Sequence, residues 1–209
     1  MASSYEAIIW GYFKSKIGNE YGVAGLMGNL QAESGLYPDR VENDIPYSSY
    51  SQEYTSKVDR GIISEYEFVN DGIGYGLAQW TYYTRKQALY NMYKDRGYAS
   101  IGSIGLGCEY LWYELQNTFP FVLDILKNAT TIRQASDIVL HDFENPAVQT
   151  EEVEVEREAL SQAIYTQFTG QSGVLPDEPI EPTSKPKRKH YNFILFNQRR
   201  KKLWTGQML

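Results

Sequence analysis

The chain has 209 residues, enough for one domain with a core plus an appendage. It is 42% hydrophobic and 14% aromatic, which excludes a wholly disordered chain. The formal charge of −6 is unevenly spread. From Lys185 onward there are eight basic residues and no acid, so the first 184 residues carry −14, the whole-chain charge less the tail's eight positive charges. An acidic body joined to a basic tail points to separate jobs for the two.

Cys108 is the single cysteine, so no internal disulfide forms and the fold needs no oxidising compartment. No run approaches the roughly 18 apolar residues of a membrane span. Met1-Ala2-Ser3-Ser4 lacks a basic stretch followed by an apolar one, so a secretory signal is not expected. Tyrosine is abundant, with 18 copies. Its ring stacks and its hydroxyl hydrogen-bonds, which suits a carbohydrate cleft, although a tyrosine-rich core accounts for the count equally well.

Residues 5–17 alternate apolar and polar positions with a helical period, stopped by Gly18. Residues 21–34 form a second helix despite Gly22, Gly25 and Gly28, whose recurrence points to close packing against neighbours. Gly35 caps it and Pro38 blocks continuation. Residues 36–74 show no sustained period and read as a long loop with a small antiparallel hairpin, a kind of segment that is often functional. Helices resume at 84–95 and at 105–117, where Cys108, Leu111, Trp112 and Leu115 share a face. Residues 131–143 align Ile132, Ala135, Val139 and Phe143. Residues 150–168 align Val153, Leu160, Ile164 and Phe168. The main folded domain is therefore expected to span 1–170. Pro176, Pro179, Pro182 and Pro186 mark 171–190 as an extended linker, and 191–209 form a basic and apolar C-terminal segment.

Glu33 is the carboxyl best placed for acid chemistry. At about 100° per residue it lies roughly 20° from Leu26 around the helix axis, continuing the Leu26–Leu30 stripe toward the core. Burial disfavours a carboxylate, as does the negative end of the helix. A raised pKa is what a general acid needs to protonate a glycosidic oxygen near neutral pH. The plain alternative is a surface glutamate at a frayed helix end.

Residues 27–38 (MGNLQAESGLYP) and 74–81 (GYGLAQWT) resemble the phage tail lysozyme family, and more distantly goose-type lysozymes and soluble lytic transglycosylases. Those families share a Glu-Ser pair at a helix end and a later Gly-Leu-x-Gln segment, here Glu33-Ser34 and Gly76-Leu77-Ala78-Gln79. The resemblance extends to Phe143-Glu144-Asn145-Pro146-Ala147 and a following helix with Arg157 and Ala163, covering roughly residues 5–168. It implies an α+β, mostly helical, lysozyme-like domain with a small β-hairpin or sheet beside the cleft. Glu33 would be the general acid. Gln79 would hydrogen-bond the sugar or its N-acetyl group, and Gly74 and Gly76 would admit the saccharide close to the backbone. Ser34 would orient the neighbouring carboxyl, and Tyr75 and Trp80 would line the sugar site, with a core role as the alternative for the indole. The long loop departs from the compact transglycosylase pattern, whose later Tyr-Asn motif is missing.

The resemblance further implies a muramidase that cleaves peptidoglycan between N-acetylmuramic acid and N-acetylglucosamine, with no cofactor or metal. A lytic transglycosylase on the same bond, and a non-catalytic glycan-binding tail component, remain open. For a second carboxylate the loop offers Asp39, Glu42, Asp44, Glu53, Asp59, Glu65, Glu67 and Asp71, of which Asp71 lies just before the glycine segment. Alternatively the substrate's acetamido oxygen attacks and none is needed. Glu144 lies in a segment that reads as structural, with a lesser candidacy as a site residue, and could pair with Arg157. A zinc amidase fits poorly, since only His141 and His190 are present. A cysteine endopeptidase built on Cys108 and His141 also fits poorly, because Cys108 lies on an apolar stripe.

The tail sequence 187–204 (KRKHYNFILFNQRRKKLW) sets an apolar run between two basic clusters. Membrane contact, anionic wall polymers and docking onto phage tail or other virion proteins all suit it, with docking preferred and nucleic acid not expected beside an acidic domain. Removal of residues 185–209 should leave cleavage of soluble substrate intact. The expected location is the virion tail, or the host cytoplasm before release to the wall.

Overall fold

The computed structural model describes residues 4–146 and 148–170. The chain divides after Leu175, and all described residues belong to its first unit. The expected linker 171–190 and tail 191–209 lie outside the described residues.

The first helices follow the sequence reading closely: α1 (Ser4–Ile17) and α2 (Glu20–Ser34). Asn19 starts α2 by accepting the amides of Tyr21 and Gly22, while its own amide nitrogen donates to the carbonyls of Lys127 and Ala129. Gly35 ends α2 in the left-handed region at φ 65°. Every residue from Gly22 to Leu30 is buried, so α2 is the central helix of the domain.

Its three glycines make that position possible. A step of three residues turns the helix back by about 60°, so each glycine faces a different neighbour. A Cβ on Gly22 would stand 2.0 Å from the Leu126 carbonyl oxygen, one on Gly25 2.5 Å from Ala135 Cβ, and one on Gly28 2.0 Å from Ser161 Oγ. Those neighbours lie on α7 (Pro120–Asn128), α8 (Ile132–Ile138) and α9 (Glu151–Thr169).

The segment 36–74 differs from its reading as a loop. It holds α3 (Ser49–Asp59) and α4 (Glu65–Asn70), the latter started by a capping box between Ser64 and Glu67. The buried positions of α3 are Ser51, Tyr54, Thr55 and Val58, a helical stripe hidden in the sequence because two of its members are polar. Ser51 is buried to bond Asp44 and the Val41 amide, and Thr55 shares a 2.8 Å hydrogen bond with Tyr75.

Among the described residues there is no sheet. The expected hairpin is reduced to two isolated antiparallel bridges, Val41 with Tyr75 and Tyr75 with Trp80. Beyond it come α5 (Tyr83–Arg96) and α6 (Ile104–Asn117). The helix expected over 131–143 is α8 continued by a π-helical turn, Val139–Glu144. α7 adds a helix to those expected from the sequence, marked by Pro120 at its first turn and by its buried Val122, Leu123 and Leu126. No helix among the described residues is long and apolar enough to cross a membrane.

Candidate active site

Glu33 sits in the last turn of α2 with its side chain 25% exposed. Leu26 and Leu30 of the same stripe are fully buried, so the stripe reaches the surface at Glu33. Arg157 from α9 meets it there. One terminal nitrogen, Nη1, donates to the Asn29 carbonyl at 2.9 Å, and the other, Nη2, donates to Glu33 Oε1 at 2.8 Å. The guanidinium therefore fixes both the end of α2 and the carboxyl it carries.

Glu144 joins this pair from the π-helical turn. The wider turn, closed by the Asn145 amide onto the Leu140 carbonyl at 2.9 Å, puts Leu140 and Glu144 on the buried side with Val139 and Phe143. The Glu144 side chain is 4% exposed and its Oε2 lies 3.8 Å from Arg157 Nη2. No protein donor among the described residues reaches either of its oxygens. Burial first, and the charge of Glu33 second, push its pKa up to about 8, against the opposing pull of Arg157 and Arg85. The pairing of Glu144 with Arg157 is thus present.

The glycine segment makes a tight turn. Tyr75 and Trp80 exchange backbone hydrogen bonds, with Gly76 at φ 75° and Gln79 at φ 45° between them. A Cβ on Gly76 would stand 2.9 Å from the Trp80 ring, so with its positive φ Gly76 is required by the turn itself, while one on Gly74 would stand 3.0 Å from Gln79 Oε1, the end of a side chain that can move. Gln79 is partly exposed, and its Nε2 donates to the carbonyls of Gly76 and Arg40.

Three residues expected to serve the substrate are buried with protein partners. Trp80 is 1% exposed and its Nε1 donates to Glu114 Oε2 at 2.7 Å. Tyr75 is equally buried and bonded to Thr55. Ser34 turns back along its own helix and donates to the Leu30 carbonyl at 3.0 Å, so it does not orient Glu33. The two halves of the site are nevertheless connected. Glu114, which holds Trp80, is clamped by Arg85, and that guanidinium lies 5.1 Å from the Phe143 ring centre, next to Glu144.

Each loop acid already has a structural partner. Asp39 accepts from the Tyr47 hydroxyl, and Glu42 accepts the Gly74 amide at 2.9 Å. Asp44 accepts from Ser48 and Ser51, Glu53 pairs with Lys57, and Asp59 accepts the Ile101 amide. Glu65 accepts from Gln87, and Glu67 closes the α4 cap. Asp71 accepts from Tyr54, from the Ile73 amide and from Lys86, whose side chain is fully buried. Cys108 is buried too, and burial pushes its thiol up to about 12. His141 bonds Gln149 and Glu154.

The family described as phage tail lysozyme has a model that matches residues 4–168 of this chain. No curated protein and no solved structure matches it.

Proposed function

The chain belongs to the phage tail lysozyme family, a family of lysozyme-like cell-wall enzymes, and from that premise we propose that it is a muramidase with Glu33 as general acid. The bond cleaved joins C1 of N-acetylmuramic acid to O4 of N-acetylglucosamine. The observation that carries this reading is a partly exposed carboxyl at the end of the central helix, held by Arg157 and backed by the buried Glu144.

Glu33 protonates the glycosidic oxygen as the C1–O bond breaks. The eight loop acids are engaged by protein partners, which favours attack by the substrate's own acetamido oxygen on C1. Water then opens that intermediate, and its proton returns to Glu33. Gln79 presents its amide at the turn to the sugar or its N-acetyl group, and Gly74 and Gly76 shape that turn. Asp71 is assigned to the scaffold, with Ser34, Tyr75 and Trp80. As a tail lysozyme the protein acts from the virion on peptidoglycan, with the C-terminal segment docking it to other virion proteins.

The same engagement of the loop acids favours one second reading. A lytic transglycosylase shares the first half of the reaction, but the muramic acid C6 hydroxyl attacks in place of water. Mass spectrometry of fragments released from purified peptidoglycan separates the two. Reducing muramic acid ends are expected, and anhydro ends indicate the transglycosylase. Glu33→Gln should release neither, and a Glu33→Gln protein that still cleaves glycan removes Glu33 from the role of acid.

A further inference from the structure

We propose that Glu144 is the proton-sharing partner of Glu33, so that the two carboxyls hold one proton between them and Arg157 balances the single remaining charge. This rests on the reading of Glu33 as general acid. Glu144, with its side chain 4% exposed, does not touch substrate and acts as a positioning residue.

A count of charges carries the inference. The groups around Glu144 come from four packed elements: Glu33 on α2, Arg157 on α9, Arg85 on α5, and Glu114 on α6, which Arg85 clamps through two nitrogens. Arg85 and Glu114 neutralise one another. Arg157 then stands alone against Glu33 and Glu144, and one guanidinium balances one carboxylate. The third carboxyl in a water-poor site is neutral or uncompensated, and an uncompensated buried charge is strongly disfavoured. Within Glu144's own element His141 is turned away, bonded to Gln149 and Glu154.

The hydrogen-bond pattern agrees. Arg157 reaches Glu33 at 2.8 Å but Glu144 only at 3.8 Å, and no protein donor among the described residues satisfies either Glu144 oxygen. A buried carboxylate normally gathers donors, whereas a neutral carboxyl beside another carboxyl needs only the proton between them. The upward push on the Glu144 pKa to about 8 points the same way.

The arrangement has a chemical consequence. The single proton sits on Glu33 when Glu144 is the carboxylate that Arg157 balances, and Glu33 gives that proton to the leaving oxygen. A charged Glu144 competes for the same guanidinium and repels a Glu33 carboxylate, which keeps the shared proton on Glu33 until the leaving oxygen takes it. The pair therefore keeps an acid available through neutral pH.

Carbon-13 NMR of the full chain labelled at glutamate carboxyls tests this directly. One buried carboxyl should titrate near pH 8, and in Glu33→Gln its midpoint should fall by on the order of one unit or more, because the repelling charge is gone. Absence of any glutamate carboxyl titrating above about pH 6 in the wild type, or a midpoint unmoved by Glu33→Gln, overturns the proposal. The kinetic counterpart is Glu144→Gln. Its rate should fall about 100-fold at neutral pH and recover toward pH 5, with the alkaline limb of kcat/KM moved down. An unmoved alkaline limb also overturns it. Cleavage by Glu33→Gln would instead defeat the general-acid reading, whatever the titration of the pair.

Discussion

The indole nitrogen of Trp80 donates to Glu114 at 2.7 Å inside the core, and Arg85 holds the same carboxylate at 2.6 and 2.7 Å. One glutamate thus ties the glycine turn to α5 and α6. The Glu114 side chain is 4% exposed, so its three donors replace the water it has lost.

Trp80→Phe keeps an aromatic ring but removes one of those donors. The expected cost is about 1–3 kcal/mol of unfolding free energy, with glycan affinity of the folded protein unchanged. Denaturant unfolding and the KM for glycan measure the two effects separately. Unaltered stability together with weakened glycan binding would restore Trp80 to the sugar site.

Two helical glycines, Gly11 on α1 and Gly28 on α2, predict opposite signs for one substitution. In an exposed helix, Gly→Ala is worth about 1 kcal/mol of stability. Gly11 on α1 is exposed, with nothing within 4 Å of an added Cβ, so Gly11→Ala should stabilise. At Gly28 the added Cβ would stand 2.5 Å from the Ser161 amide nitrogen and 2.6 Å from its Cα, and backbone cannot step aside as a side-chain end can. Gly28→Ala should therefore destabilise by about 3 kcal/mol or more, as α9 is forced off α2. A thermal melt of Gly28→Ala at or above the wild-type midpoint would show that the helices do not meet so closely.

Helix α2 shows what the sequence makes legible. Its C-terminal cap at Gly35, the close packing its glycines call for and the position of Glu33 in its last turn follow from local rules, because each depends on spacing along one chain segment. α3 was hidden because Ser51 and Thr55 occupy its buried face for the sake of Asp44 and Tyr75, partners distant in the sequence or in a turn of their own. Likewise, whether Trp80 faced sugar or core depended on Glu114, 34 residues away. The Glu144–Arg157 pairing could be read from helix order, but the burial that raises the Glu144 pKa depends on a π-helical turn with no sequence period of its own.

Two carboxyls give the stability of this domain opposite pH dependences. Glu144 has a folded pKa raised to about 8, above its ordinary 4.5. Its contribution is fully present below pH 4.5 and is lost as pH rises through about 8, because the folded state holds the proton that the unfolded state releases. Burial pushes Asp44 up, but bonds from the side chains and amides of Ser48 and Ser51 outweigh it and bring it down to about 2, so its contribution exists above the ordinary 3.8 and is lost as pH falls through 2. Glu144→Gln should therefore gain on the wild type between pH 5 and 9, in unfolding free energy measured by denaturant. A constant difference across that range would contradict the raised folded pKa.

Asp71 offers the sharpest contrast between a catalytic and a scaffold role. Its partner Lys86 has a fully buried side chain, its Nζ lies 4.3 Å from the Phe68 ring centre, and it also donates to the Ile73 carbonyl at 3.0 Å. Burial pulls the ammonium pKa down, and Asp71 pulls it back. Asp71→Asn leaves that ammonium without its counter-charge, which costs about 3–5 kcal/mol for a fully buried pair. The Asp71 side chain is 18% exposed, so solvent screening lowers the expected loss to roughly 2–4 kcal/mol. Replacing both partners, as Lys86→Met with Asp71→Leu, should recover much of that loss, because the buried charge is then absent. Activity per folded molecule should survive in the double variant at a temperature well below its melting point. If the double variant is stable yet cleaves no glycan, while Glu33 and Glu144 are untouched, Asp71 acts on the substrate and the acetamido route loses its main support.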